Sequence, residues 1–172
     1  FVNESQFSIR GWLQLAGFLP NDVVVRNFVT AQSTLIGNYM LVDIKQQQYW
    51  HKVAVHIDPL TSIISARVLS PIFHPQVSAD GVIYCLEPPQ GIDLASKLKQ
   101  FLIDLKNHLI NPKNNHLDVM KNMTSSPLAS EAATILLRDP QLFTTKAEEF
   151  NAFHRLELQP IADNDVKTNK RA

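Results

Sequence analysis

The sequence has very little cysteine: Cys85 is the only one among 172 residues. A single thiol excludes an internal disulfide and a zinc site built from several cysteines. Scarce cysteine is also typical of a reducing compartment, so we expect a cytoplasmic location.

The sequence also lacks an excess of charge and any long apolar run. Sixteen lysine and arginine residues balance 16 aspartate and glutamate residues, so the formal net charge is zero. Proteins that bind the phosphate backbone are usually strongly basic, so nucleic acid is not expected as a partner. No apolar run reaches the roughly 18 residues that a membrane-spanning helix needs, so membrane insertion is not expected.

Enough apolar side chain is present to form a core. Hydrophobic residues make up 45% of the chain and charged residues 19%, ordinary values for a globular protein. The length fits one domain, which we place at residues 1–160, followed by a polar tail at residues 161–172.

Four extended segments follow a predicted N-terminal helix at about residues 4–18. They cover residues 23–29, 34–44, 49–57 and 64–68. In the third, apolar residues alternate with polar or small ones, a period of two that is typical of a half-buried antiparallel strand. The short spacing between segments predicts an up-and-down meander, with a turn at residues 46–48.

A proline-rich crossing over residues 70–91 separates the strands from the helices. Helix resumes after Asp93 with one apolar stripe at helical spacing, made of Leu94, Leu98, Phe101, Leu102, Leu105 and Leu109. Two more helices are predicted, beginning near Pro127 and Pro140. Strands followed by a run of helices predict an α+β fold, with helices backing one face of the sheet.

The polar segment 113–126, between the first two of these helices, predicts a loop or lid. It contains Met120 and Met123. These methionines are interpreted either as partly packed side chains or as an adaptable surface for a protein partner.

The crossing contains a motif that resembles the centre of the ubiquitin-conjugating (E2) fold. Residues 73–86 read Phe-His-Pro-Gln-Val-Ser-Ala-Asp-Gly-Val-Ile-Tyr-Cys-Leu, where E2 proteins usually have His-Pro-Asn, a short gap, Gly-x-Ile and Cys-Leu. His74, Pro75, Gln76 and Gly81 are the matching structural positions. The resemblance covers about residues 4–155 and implies an E2 (UBC-like) fold with an N-terminal helix, a four-stranded antiparallel meander and C-terminal helices.

A tyrosine stands at the family's catalytic position. The E2 cysteine lies ten residues after the motif histidine and three after the glycine, and both rules arrive at Tyr84. A one-residue step along an extended segment turns the side chain to the opposite face, so the resemblance implies that Cys85 points inward. A phenol titrates near about 10, against about 8.5 for a thiol, and would form an ester rather than a thioester.

Other departures agree with a loss of conjugating activity. The family asparagine that steadies the oxyanion is Gln76 here, one methylene longer. The Trp-Ser-Pro that usually follows the cysteine is absent. Arg10 is the only basic residue before Val25, whereas the first helix of E2 enzymes is usually rich in basic residues for docking to the activating enzyme.

A narrower resemblance lies within residues 126–146. Ser-Pro-Leu at 126–128, Glu-Ala-Ala at 131–133 and Gln-Leu-Phe at 141–143 look like the E2-variant branch called fused toes or AKT-interacting protein, with crossbronx proteins nearby. Members of that branch lack the catalytic cysteine and are linked to Hook proteins and a partner scaffold in dynein-based transport of endosomal vesicles. The resemblance implies a Hook-like coiled-coil adaptor as partner, on vesicle- or cytoskeleton-associated complexes.

We therefore expect a non-catalytic E2 variant that serves as a scaffold or adaptor subunit and needs no cofactor. The alternative is a divergent active E2, in which the Cys85 thiolate accepts ubiquitin or a similar modifier. Gln76 would then steady the oxyanion, and Asp118 would orient or deprotonate the acceptor lysine. A third interpretation is a variant that binds ubiquitin non-covalently and assists an active E2.

The motif residues also have structural interpretations. Cys85 is either a buried structural thiol or a displaced nucleophile. Tyr84 fills the former site or contacts a partner. We expect His74 to bond the loop backbone rather than to act as a general base. A cysteine-hydrolase pair of Cys85 with His74 has no recognisable acid partner.

The six histidines form no metal-binding pattern in the sequence. His51 and His56 are five residues apart on a predicted strand, hence on opposite faces, and a helix stop separates His108 from His116. No metal ion is expected.

Overall fold

Strands come first in the chain and helices follow. The structure, a computed structural model, describes residues 21–30, 38–58, 61, 63–90, 94–112, 117–120, 122 and 126–160. The strands in these ranges are β1 (Val23–Thr30), β2 (Asn38–Gln46), β3 (Tyr49–Ile57) and β4 (Ile64–Val68). The helices are α1 (Leu94–Ile110), α2 (Leu117–Met120), α3 (Pro127–Arg138) and α4 (Pro140–Phe153). The predicted N-terminal helix and the polar tail lie outside the described residues.

The four strands form one antiparallel sheet in the order β1-β2-β3-β4. The predicted α+β meander is therefore confirmed. β2 and β3 are joined by a two-residue turn, in which Gln47 adopts a left-handed φ of 58°. A register shift between Val25 and Asn27 interrupts the pairing of β1 with β2.

One face of the sheet packs against α1. The odd-numbered residues of β3 from His51 to Ile57 are buried and the even-numbered ones are not, as the period of two predicts. These side chains meet the apolar stripe of α1, in which Leu98, Leu102 and Leu105 have no exposed surface. Burying an aliphatic side chain of this size contributes about 1.5 to 3 kcal/mol, so the interface of sheet and helix is the main source of stability.

A second, smaller core cluster joins the crossing to the last three helices. The ring of Phe73 stacks on Phe143 with centroids 5.5 Å apart. The buried alanines of α3 are small, so this helix can lie close to the other members of the cluster. Phe73 belongs to this cluster, and Ile72 and Val77 belong to the first. The crossing therefore packs into both clusters and connects them.

The segment after α4 returns to the sheet. Leu158 is buried, and its carbonyl oxygen accepts a hydrogen bond of 2.7 Å from the backbone N–H of Trp50. The ammonium of Lys52 donates to the carbonyl oxygen of Glu157 at 2.9 Å. This part of β3 extends beyond β4, so the returning segment satisfies an edge that β4 leaves open.

The expected loop at residues 113–126 is wrong in part, because α2 lies within it. Leu117 and Met120 are three residues apart and both are buried in the second cluster. One helical turn brings residues at this spacing to the same face. Met120 is therefore a core side chain and not a partner surface, while Met123 lies outside the described residues.

Within the described ranges, no helix has the length and apolar character needed to cross a bilayer.

Candidate functional site

The motif of residues 73–86 lies between β4 and α1, and a glycine sets its path. Gly81 has a φ of 86°. Its carbonyl oxygen accepts from the N–H of Val68 at 2.9 Å, and its own N–H donates to Ser78 at 2.9 Å. A Cβ at this position would collide with the carbonyl oxygen of Val68. Only glycine combines this backbone conformation with such a close approach.

Four hydrogen bonds close a ring through the motif and the end of α1. The N–H of Gln76 donates to Nδ1 of His74 at 3.0 Å, and Nε2 of His74 donates to the carbonyl oxygen of His108 at 2.7 Å. Nε2 of His108 donates to the carbonyl oxygen of Tyr84 at 2.9 Å, and the N–H of Tyr84 returns to the carbonyl oxygen of Gln76 at 2.8 Å. We call these four residues the histidine ring network. It fixes the backbone of Tyr84 against α1.

The hydrogen bonds of His74 determine its protonation state. Because Nδ1 accepts a hydrogen bond and Nε2 donates one, the ring is neutral. Burial lowers the pKa of His74 to about 3; the hydrogen bond to His108 opposes this shift, and the charges of His108 and His51 add to it. A histidine that stays neutral and is wholly enclosed serves to bond the backbone, and is not placed to exchange protons with a substrate.

Tyr84 and Cys85 occupy the position where the resemblance places a nucleophile. The side chain of Tyr84 is 38% exposed. The expectation of an extended backbone that buries Cys85 is wrong, because Cys85 has a φ of 66° and its side chain is half-buried. A left-handed residue departs from the strict alternation of faces, so the thiol is neither enclosed in the core nor fully presented to solvent.

Cys85, Gln76 and Asp118 differ in burial: Cys85 is half-buried, Gln76 is buried and Asp118 is exposed. Gln76 has no exposed surface, so its amide faces the interior rather than the outer surface beside Tyr84. Asp118 is exposed on α2, and Leu117 and Met120 of the same helix belong to the second core cluster. Ile83 and Leu86, on either side of Cys85, pack against the first cluster. Pro75 is buried within the motif.

His108 is a site residue that the sequence interpretation missed. The spacing of the histidines presents it only as a candidate metal ligand, yet it lies three residues after Leu105 and seven after Phe101, on the buried side of α1. A histidine in an apolar stripe has to satisfy its ring nitrogens inside the protein, and that was the available signal. A cavity of about 270 Å³ opens beside His108, lined by acidic and amide side chains that include Asp104 and Asn107.

Among the described residues, no group of three or more histidine, cysteine, aspartate and glutamate side chains is arranged to hold a metal ion. His51 and His56 lie on opposite sides of β3. His51 is buried and His56 is half-buried.

The sequence matches no model of a protein family and no curated protein.

Proposed function

We propose that this protein is a non-catalytic variant of the ubiquitin-conjugating (E2) fold that acts as a scaffold or adaptor subunit. The observation that carries the proposal is the residue at the catalytic position. Tyr84 presents a phenol there, and a phenol forms no thioester.

The surroundings of Tyr84 support a structural role for the motif. The histidine ring network uses both nitrogens of His74 and the backbone of Gln76 and Tyr84 in hydrogen bonds. Those groups hold the loop and are not available to a substrate. An adaptor of the fused toes type, with a Hook-like coiled coil and its scaffold as partners, is the specific form of this proposal.

The second candidate is a divergent active E2, and the conformation of Cys85 is the observation that favours it. Cys85 has a left-handed backbone and is only partly buried as a residue, unlike a cysteine in a closed core. Against this candidate, the buried side chain of Gln76 would have to turn outward to steady an oxyanion.

A thioester assay separates the two candidates. The wild-type chain and the variants Cys85→Ala and Tyr84→Cys are incubated with activating enzyme, ATP and ubiquitin, then resolved without reductant beside an active E2. We expect no reducible band for the wild type. A band restricted to Tyr84→Cys supports the proposal, because it shows that the activating enzyme recognises the chain and that only the thiol is missing. A wild-type band that disappears in Cys85→Ala overturns it.

A further inference from the structure

Helix α3 begins at a serine that does not cap it. Ser126 occupies the N-cap position, where a serine hydroxyl usually accepts a hydrogen bond from the first turn, but here it makes no such bond. The residue is nevertheless only 1% exposed, and its hydroxyl oxygen has no hydrogen-bond partner among the described residues. Buried polar groups are nearly always hydrogen-bonded, so this hydroxyl needs an explanation.

The backbone of the same turn also has unused donors. Pro127 has no N–H, and within the described ranges the N–H groups of Leu128 and Ala129 have no acceptor. The free N–H groups at the start of a helix, together with the helix dipole, favour an anion. The start of this 12-residue helix therefore offers one hydroxyl and two backbone donors to a negatively charged acceptor.

Ser126 and Leu128 line a cavity of about 710 Å³ between the crossing and the end of α4. The buried residues of its lining are uncharged: Val68, Ile72, Val77, Gly81 and Ser126. Among these described residues, Ser126 alone has a polar side-chain atom. The buried part of the cavity thus combines an apolar surface with a single hydroxyl.

Charged residues line the exposed part of the cavity. Arg67, Asp80 and Glu157 are all exposed. Glu157 is paired with His154 at 2.9 Å, and the described residues give the guanidinium of Arg67 no ion-pair partner. A bound group that reaches the buried part therefore continues past these charges into solvent, as the end of a longer chain does and an enclosed small molecule does not.

We propose that this cavity binds the C-terminus of a partner protein that ends in an apolar residue. The terminal carboxylate accepts hydrogen bonds from the hydroxyl of Ser126 and from the N–H groups of Leu128 and Ala129. The last side chain packs on the buried apolar lining. A terminal residue carries both groups on one Cα, whereas an internal aspartate or glutamate supplies only the carboxylate. The proposal goes beyond the adaptor role and does not depend on Tyr84 or Cys85.

The test uses the peptide Gly-Ser-Lys-Ser-Leu, labelled with fluorescein at its N-terminus, and the same peptide with a C-terminal amide as the control. We expect saturable anisotropy with the free carboxylate below about 1 mM and at least tenfold weaker binding of the amide, about 1.4 kcal/mol. The lysine complements the exposed carboxylates of Asp80 and Glu157. The peptide should shift the amide NMR signals of Leu128 and Ala129 but not that of Ser65 on β4.

The variant Ser126→Ala separates the proposal from ordinary helix capping. Its matched control is Ser65→Ala, at an exposed serine outside the cavity. Because the hydroxyl of Ser126 has no partner in the free protein, Ser126→Ala should not lower the urea midpoint, whereas loss of a capping serine would lower it. We expect Ser126→Ala to weaken peptide binding by at least about fivefold and Ser65→Ala to bind like the wild type.

Four results would overturn the proposal. The first two are the absence of saturable binding and equal binding of the carboxylate and amide peptides. The third is a lower urea midpoint for Ser126→Ala, which would mean that the hydroxyl caps the helix. The fourth is competition by N-acetyl-leucine with the same affinity as the peptide, which would make the cavity a site for a small carboxylic acid.

Discussion

At the scale of single residues, two buried histidines organise the hydrogen bonds of the motif. His74 and His108 join the motif to α1 through backbone carbonyls, and the carbonyl of Tyr84 is one of them. A hydrogen bond to a buried group stabilises modestly when formed, but an unpaired group left in its place is costly. The ring therefore gives residues 74–85 a fixed conformation whether or not any chemistry takes place there.

Replacing His74 should cost more than the loss of an ordinary surface histidine. His74→Ala leaves the N–H of Gln76 and the carbonyl of His108 without their ring partners, so we expect the free energy of unfolding to fall by about 2 to 4 kcal/mol. Urea denaturation measures it. The control is His154→Ala, which removes a ring that is 21% exposed, pairs with Glu157 at 2.9 Å and packs on Phe150, and which should cost less, about 1 kcal/mol. Equal losses in the two variants would contradict the structural role of the ring.

At the scale of elements, the return of the chain to β3 after α4 is a specific packing event. Leu158 is 1% exposed, whereas Leu156, two residues earlier, is 77% exposed. The carbonyl oxygen of Leu158 also accepts the hydrogen bond from the backbone N–H of Trp50.

This pair of leucines offers a matched test. Leu158→Ala should destabilise the protein by about 2 to 4 kcal/mol because it empties a buried site. Leu156→Ala should change the free energy of unfolding by less than about 0.5 kcal/mol, since its side chain is already in water. Thermal or urea denaturation of both variants checks the difference. Similar stabilities would mean that the segment does not dock on the sheet.

Element boundaries followed from the sequence wherever local patterning decides them. The alternation in Tyr49–Ile57 and the stripe of α1 each reflect one buried face, so β3 and α1 were predicted closely. Two features were not predicted, because they depend on contacts between residues that are distant in sequence. The single turn of α2 is buried by α3 and α4, and the conformation of Cys85 follows from how residues 76–84 are bonded to α1. Neither is visible in a local pattern of apolar and polar residues.

At the scale of the whole molecule, burial of neutral histidines makes the fold sensitive to acid. The pKa of His51 is lowered to about 4, chiefly by burial and then by the charge of Lys52, and burial lowers that of His74 to about 3. The Nε2 atom of His51 donates a hydrogen bond to the side-chain oxygen of Gln46 at 2.9 Å. The same oxygen accepts a second hydrogen bond, from Asn151 of α4, at 3.0 Å. His51 is thus part of a contact between the sheet and the last helix.

Stability should therefore decline as the pH falls below about 6.5, where both histidines would take up protons in the unfolded chain. The unfolded state binds those protons first, so each histidine lowers the free energy of unfolding by up to about 1.4 kcal/mol per pH unit, and its contribution is constant above about pH 7. Urea denaturation between about pH 7.5 and about pH 5 measures the slope, and His51→Gln should remove part of it. A flat profile would contradict the buried neutral state of both rings.

The proposed function depends on Tyr84 occupying the position that the resemblance to E2 proteins gives to the catalytic cysteine. The most direct measurement is the intact mass of the wild-type chain after incubation with activating enzyme, ATP and ubiquitin, with an active E2 as the positive control. We predict an unchanged mass. A mass increase of one ubiquitin, reversed by a thiol reductant and absent from Cys85→Ala, would contradict the account and make Cys85 the nucleophile of a divergent enzyme.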